Sequence, residues 1–306
     1  MVPDKPAAEV AIDEALVRRL VVSQAAALAG AETSPLTRVA AGWDCEVWRL
    51  GAQWAVRLPR RALAAPLISH EHRSLAVVGT LIEATGVRVP IPAVRGTADA
   101  GYPWAWSIVP WIAGHRGIDV PRGERSGWAE KLAAALTALH TAAPADHPVN
   151  PVRGRPLATR AAVFAERLET LSALRTVTAP QARALADAWR EGIAAPAWNR
   201  PAVWIHGDLH PGNLVADRSR LVGIIDFGDV TGGDPAYDLA VAWLAFDREG
   251  RDRFLEATGD RYDRSTWTRA RAWAAAVAAV FLVHSDDEPD YEALGRSALD
   301  EIASGT

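Results

Sequence analysis

Cysteine occurs once in the 306 residues, at Cys45, and lysine twice, at Lys5 and Lys131. A single thiol excludes a disulfide framework and a cysteine-built zinc site, and it suits a reducing compartment, the cytoplasm. The scarcity of lysine leaves 31 arginines to supply nearly all the positive charge. Basic residues are not in excess. The 33 Lys+Arg against 37 Asp+Glu give a net charge of −4, whereas a nucleic-acid binder needs a basic footprint. Long apolar runs are also missing. The longest uncharged one, Ala272–Val283, has 12 residues, fewer than the roughly 18 a membrane span requires, and its alanine content predicts a buried helix. Residues 1–10, with Pro3, Asp4, Lys5, Pro6 and Glu9, carry no apolar signal core. Core material is plentiful: 49% of residues are hydrophobic and 13 are Trp, enough for one large or two small domains to fold without staples.

Periodicity and turn residues divide the chain. Apolar residues at helical spacing predict a helix over Glu9–Ala29, closed before Pro35. Strand-like runs at Arg38–Ala41, Cys45–Leu50 and Trp54–Leu58, separated by Gly42-Trp43-Asp44 and Gly51-Ala52-Gln53, predict a three-strand meander. A helix over Ile68–Glu83, an extended stretch Val87–Ala93 and a strand Trp104–Val109 stopped by Pro110 follow. Beyond Gly114 the pattern turns helical, over Glu124–Thr141, Thr159–Leu174 and Gln181–Ile193, with brief strands at Val203–Ile205, Leu214–Val215 and Leu221–Ile225. Asp234 before Pro235 reads as a helix N-cap, and helices continue to the end. The expected class is α+β: a small β-rich N-terminal lobe over 1–110 and a large, mainly helical C-terminal lobe over 111–306, tethered near Pro110–Gly114.

The densest chemistry lies in Val203-Trp-Ile-His206-Gly-Asp208-Leu-His210-Pro-Gly-Asn213-Leu-Val, a polar loop between two strands. Asn213 follows Asp208 by five positions, and thirteen further on comes Ile225-Asp226-Phe227-Gly228-Asp229 at the end of the next strand. A hairpin of that length returns Asp226 towards Asp208 and Asn213. Two carboxylates and an amide oxygen suit Mg²⁺, which prefers oxygen ligands. His206, Asp208 and His210 could alternatively hold zinc as a metallohydrolase cluster, although His284 is unaccompanied by a second downstream motif.

His206-x-Asp208-x-x-x-x-Asn213 followed by Ile-Asp226-Phe-Gly resembles the catalytic and metal-binding loops of protein-kinase-like phosphotransferases. The His-Gly-Asp-Leu-His-Pro-Gly-Asn variant with Asp234-Pro-Ala-Tyr-Asp238-Leu-Ala is similar to the aminoglycoside phosphotransferase family, which includes macrolide kinases. The likeness spans roughly residues 35–285. It implies a protein-kinase-like fold with a nucleotide-binding N-terminal lobe and a catalytic, substrate-binding C-terminal lobe. It implies ATP or GTP as co-substrate, Mg²⁺ as cofactor and a small hydroxylated acceptor, with no nucleic-acid or membrane partner. Asp208 would orient or deprotonate the acceptor hydroxyl, and Asn213 and Asp226 would hold the metal against the phosphates.

The resemblance also marks residues of the first lobe. Arg57, on Ala55-Val56-Arg57-Leu58, stands where related kinases carry a lysine, and Glu71 on the next helix matches its acidic partner. An arginine keeps the charge and can grip phosphate bidentately; a surface arginine is the plainer reading. Trp106–Ile112 would be the hinge at the nucleotide base, through Val109 and Trp111, with donors from Trp111 or Ile112 because Pro110 has no N–H. No glycine-rich phosphate loop is present at Gly42-Trp43-Asp44. That absence and Arg57 leave a nucleotide-binding pseudokinase open. His206 reads as a loop support, His210 as solvated or supporting, and Asp234 and Asp238 as structural.

The acceptor is an antibiotic by resemblance, an aminoglycoside or a macrolide; kinases of choline, homoserine or methylthioribose share the same loops. Acids Asp286, Asp287, Glu288, Asp290, Glu292, Asp300 and Glu301 against Arg296 alone could form a wall for a polycation or a solvated helix face. Trp111, Trp128, Trp189, Trp198, Trp243, Trp267 and Trp273 could line an apolar pocket, although tryptophans of this kind are mostly core.

Overall fold

The computed structural model describes residues 6–99, 101–285 and 288–304. The chain divides into two compact units, each built from discontinuous segments. The smaller holds the chain up to Thr80 with Val89–Ala113 and Asp226–Gly228, and the larger holds the remainder.

The smaller unit opens with α1 (Glu14–Gln24), whose N-cap Asp13 accepts from the Leu16 amide at 2.8 Å. That cap starts the helix later than the expected Glu9, and the chain leaves it at Ala25, ten residues before Pro35. The predicted meander is present as β1 (Leu36–Ala41), β2 (Cys45–Leu50) and β3 (Trp54–Pro59). After α2 (Ala65–Glu83) come β4 (Val94–Gly96) and β5 (Trp106–Pro110), giving an antiparallel sheet of order β1-β2-β3-β5-β4. Leu16, Val17, Leu20 and Val21 of α1 share a core with Trp48, Leu50, Val56, Leu58 and Ile108 of the strands. Burial of this apolar surface drives the assembly. Buried Tyr102 keeps a partner by donating from its hydroxyl to the Pro59 carbonyl at 2.9 Å.

In the larger unit, β6 (His115–Arg116) precedes α3 (Ala129–Leu139), α4 (Ala161–Ala173) and α5 (Ala179–Ala194). The long helix expected over Glu124–Thr141 is broken: Arg122–Trp128 forms 3₁₀ turns before α3. Gly127 lies so close to Ser219 that a Cβ there would sit 2.5 Å from its carbonyl, so packing overrides periodicity at that turn. The expected stripe of Trp128, Leu132, Leu136 and Leu139 is buried. Next come β7 (Val203–Ile205), β8 (Leu214–Asp217), β9 (Arg220–Ile224) and β10 (Thr231–Gly233). They form two small sheets, β6-β8-β9 and β10-β7.

Five helices complete the unit: α6 (Ala236–Leu239), α7 (Val241–Ala245), α8 (Arg248–Thr258), α9 (Arg264–Val283) and α10 (Pro289–Ala303). The alanine-rich run lies in α9, where Ala272, Ala274, Ala275, Ala278 and Ala279 are fully buried and let α5 and α10 pack closely. Asp234 caps as expected, but one residue earlier than a true N-cap, accepting from the Ala236 amide at 3.0 Å. Its other oxygen takes Arg269 of α9 at 2.6 Å. Among the described residues no helix is long and apolar enough to cross a membrane.

Candidate active site

Strand β3 and helix α2 bring two of the expected residues together in the smaller unit. Arg57 donates to Glu71 and, at 3.0 Å, to Asp226 Oδ1. Arg57 is 11% exposed and Glu71 not at all, so the surface-arginine reading does not hold. Burial opposes charge on Arg57, and Glu71 and Asp226 more than offset it, holding its pKa above the ordinary arginine value. Burial also pushes the Glu71 carboxyl up, against the pull of Arg57. Asp226 is 55% exposed and adopts φ +66°, a left-handed conformation uncommon for a residue with a side chain. Its Oδ2 takes no hydrogen bond from a described residue, so an oxygen ligand is available there.

At the expected hinge the backbone pairing is fixed by β3. Val109 is in register with Ala55, and the Trp111 amide donates to the Gln53 carbonyl at 2.7 Å. In an antiparallel ladder alternate residues turn their backbone groups to opposite sides. The amides of Val109 and Trp111 therefore face β3, and the Pro110 carbonyl faces away. The Trp111 ring carries Arg49 4.1 Å above its centre.

In the larger unit the loop between β7 and β8 hangs on a buried carboxylate. Asp238 accepts from the amides of His206 and Gly207 at 2.7 and 3.0 Å, and its Oδ2 lies 3.1 Å from His140 Nε2. Gly207, at φ +83°, faces the Asp229 carbonyl, 2.5 Å from where a Cβ would be, so only glycine fits. His206 supports the loop from inside: Nδ1 accepts from the Asp208 amide at 3.2 Å and Nε2 donates to the Ile225 carbonyl at 3.0 Å. With both ring nitrogens engaged, His206 has no lone pair for zinc. His210 is buried rather than solvated. Its Nδ1 accepts from the Gly212 amide at 3.1 Å, and its Nε2 lies 3.4 Å from Asp208 Oδ2. Among the described residues no group of three or more His, Cys, Asp or Glu could hold a metal ion.

Asn213 turns its amide nitrogen to the Asp208 carbonyl at 2.8 Å and to Asp208 Oδ2 at 3.2 Å. Its oxygen takes no hydrogen bond from a described residue, which suits a hard cation. The Ile225 amide donates to the Asn213 carbonyl at 2.9 Å. Asp226 is the next residue in the chain.

Arg153 was not expected. Its guanidinium reaches Asp208 Oδ1 at 2.9 Å, Asp229 Oδ2 at 3.3 Å and the Tyr237 hydroxyl at 2.6 Å. Burial would raise the Asp208 carboxyl, yet Arg153, His210 and His206 together hold it well below its ordinary value. Nothing local in Asn150-Pro-Val-Arg153 marks this loop; the contact spans 55 residues.

A model of the phosphotransferase enzyme family matches residues 35–273, well over half of the chain. The chain belongs to that family. It is a phosphotransferase with an alcohol group as acceptor. Its α+β, kinase-like fold is shared with aminoglycoside 2'-phosphotransferase-IIIa in a GDP complex, at TM-score 0.69 and 17% identity over 96% of this chain and 99% of that one. It is also similar to macrolide 2'-phosphotransferase MphH from Brachybacterium faecium (TM-score 0.60, 19% identity, covering 93% and 97%). A type I macrolide 2'-phosphotransferase gives TM-score 0.59 at 20% identity, covering 97% and 99%. Relative to the residues expected of such a phosphotransferase, the structure adds Arg153, Asn150 and Asp229 beside Asp208.

The acidic wall is largely spent on internal pairs. Asp290 binds Arg116 at 2.8 Å, Glu292 binds Arg296 at 2.6 Å and Glu301 binds Arg251 at 2.7 Å, while Asp300 accepts from Gln181 at 3.3 Å. Asp286 and Asp287 lie outside the described residues. Of the tryptophans, Trp128, Trp189, Trp243 and Trp273 are core, and Trp198 lines a cavity of about 310 Å³ with Leu157, Ile193 and Gly233.

Proposed function

We propose that this phosphotransferase is a small-molecule kinase, which moves the γ-phosphoryl of ATP or GTP to a hydroxyl in the cytoplasm. The observation that carries the proposal is the state of Asp208: ionised, on a loop fixed by Asp238, with the amide of Asn213 turned to it. A carboxylate held far below neutral pH is a weak base, so its role is to accept a hydrogen bond from the acceptor hydroxyl and aim its oxygen. Phosphoryl transfer asks for little more than such positioning and charge neutralisation. Arg57, oriented by Glu71, would grip the nucleotide phosphates, and the Pro110 carbonyl with the Ile112 N–H would meet the base edge. Asn213 and Asp226, each with a side-chain oxygen that takes no hydrogen bond from a described residue, would serve as oxygen ligands of Mg²⁺. The ion would neutralise phosphate charge when bound. Presence of all three loop residues speaks against a pseudokinase.

Antibiotic hydroxyls are the first acceptors to test, because the structures most like this one include aminoglycoside and macrolide phosphotransferases. A metabolite acceptor is the second reading, favoured by the internal pairing of the acids of α10. The experiment is nucleotide-dependent phosphorylation of a hydroxylated panel, followed by mass. Asp208→Asn should lower turnover about 10³-fold while the fold and nucleotide binding persist. Full turnover by that variant would remove Asp208 from the mechanism.

A further inference from the structure

Arg153 occupies the position that a cation on the acceptor would otherwise seek. Asp208 and Asp229 present two carboxylates on adjoining loops of the larger unit, a pair that attracts positive charge. The guanidinium of Arg153 bridges them at 2.9 and 3.3 Å. This is a built arrangement. Asn150 donates from Nδ2 to the other oxygen of Asp229 at 2.7 Å, and its Oδ1 accepts from the amides of Val152 and Arg153, both at 2.9 Å. Gly154, at φ +67°, then lets the loop close against β10, 2.7 Å separating its Cβ position from the Gly232 carbonyl. The backbone is thus clamped on both sides of Arg153, and the Tyr237 hydroxyl fixes the tip at 2.6 Å. Arg153 and Asp208 keep 27% and 32% of their side chains exposed, so a solute can reach both.

We propose that Arg153 is the residue that selects the acceptor by charge, admitting hydroxyl compounds that are neutral or anionic beside the reacting hydroxyl and rejecting polycations. The inference rests on the assignment of Asp208 as the group that receives the acceptor hydroxyl, and of the acceptor readings above it favours the metabolite over the polycationic aminoglycoside. An ammonium brought to Asp208 must stand against a guanidinium already there or displace it from three partners. A neutral or anionic group can instead accept from the exposed side of Arg153, which has five N–H donors.

The test compares wild type, Arg153→Met and Arg153→Lys on three sets of hydroxylated compounds of similar size: aminosugar polycations such as kanamycin, neutral sugars and polyols, and sugar acids. Thermal shift with Mg²⁺ and nucleotide reads binding, and release of the nucleoside diphosphate reads kcat/KM. Wild type should prefer neutral or anionic compounds by at least about tenfold, the scale expected of one like-charge contact. Arg153→Met should move that ratio about tenfold towards the polycations, and Arg153→Lys should restore most of it. A ratio unchanged by Arg153→Met, a wild-type preference for polycations, or response to no set while nucleotide still binds overturns the proposal. Failure of the kinase reading shows separately, as absence of any stabilisation by Mg²⁺ and nucleotide.

Discussion

Asp208 illustrates how partners, rather than residue type, set a carboxylate's behaviour. Arg153 and Asn213 occupy its two oxygens with His210 close by, at 2.9, 3.2 and 3.4 Å. Its pKa in the folded protein is below the ordinary 3.8, so the folded state binds fewer protons than the unfolded chain when pH approaches that value. The stabilisation is therefore complete above the ordinary value and disappears as pH falls through the folded one. Because both partners are about a third exposed, solvent reduces it to about 1 kcal/mol. In denaturant unfolding, Arg153→Met should cost about that much near pH 7 and nothing once pH is below both values. An equal cost at low pH would assign the loss to packing and the Tyr237 contact instead. Over the neutral range Asp208 stays ionised, so an acid limb of kcat/KM there belongs to another group.

At the scale of elements, strand β3 and helix α2 are joined by a charge pair that neither can leave. Glu71 is fully buried and depends on Arg57. Arg57→Ala should destabilise the protein by about 3 kcal/mol, the usual cost of stranding a buried charge, and weaken nucleotide binding. Glu71→Gln should cost less, since Arg57 retains Asp226, and Arg57→Lys should recover part of both losses. Unfolding free energy and nucleotide Kd measured together separate the roles: an unchanged Kd in a destabilised Arg57→Ala would leave the pair purely structural. These elements were legible in advance because their signals are local. Alternation with Gly-centred turns gave β1 to β3, and the alanine run gave α9. The hinge was not legible. Which way the backbone of Val109, Pro110 and Trp111 faces is fixed by pairing with β3, fifty or more residues earlier in the chain. Arg153 escaped for the same reason, its partners lying 55 to 84 residues away.

At the scale of the whole molecule, Asn213 belongs to the larger unit and Asp226, thirteen residues on, to the smaller, although one motif predicted both. Spacing within a motif reports which residues share a chemistry; it does not report which compact unit each folds with. Each unit is interrupted in sequence, and a ligand that binds the folded chain and not the unfolded one stabilises it by mass action. At a free concentration of 100 times Kd, Mg²⁺ with nucleotide should add about 2.7 kcal/mol to the unfolding free energy, seen as one upward shift of the transition. Nucleotide with a chelator should give a smaller shift, the part owed to Arg57 and the hinge. Asn213→Ala and Asp226→Asn remove one proposed metal oxygen each; the second keeps an acceptor for Arg57. Each should erase the Mg²⁺-dependent increment and leave the chelator-resistant one. An increment that survives both substitutions would move the metal elsewhere.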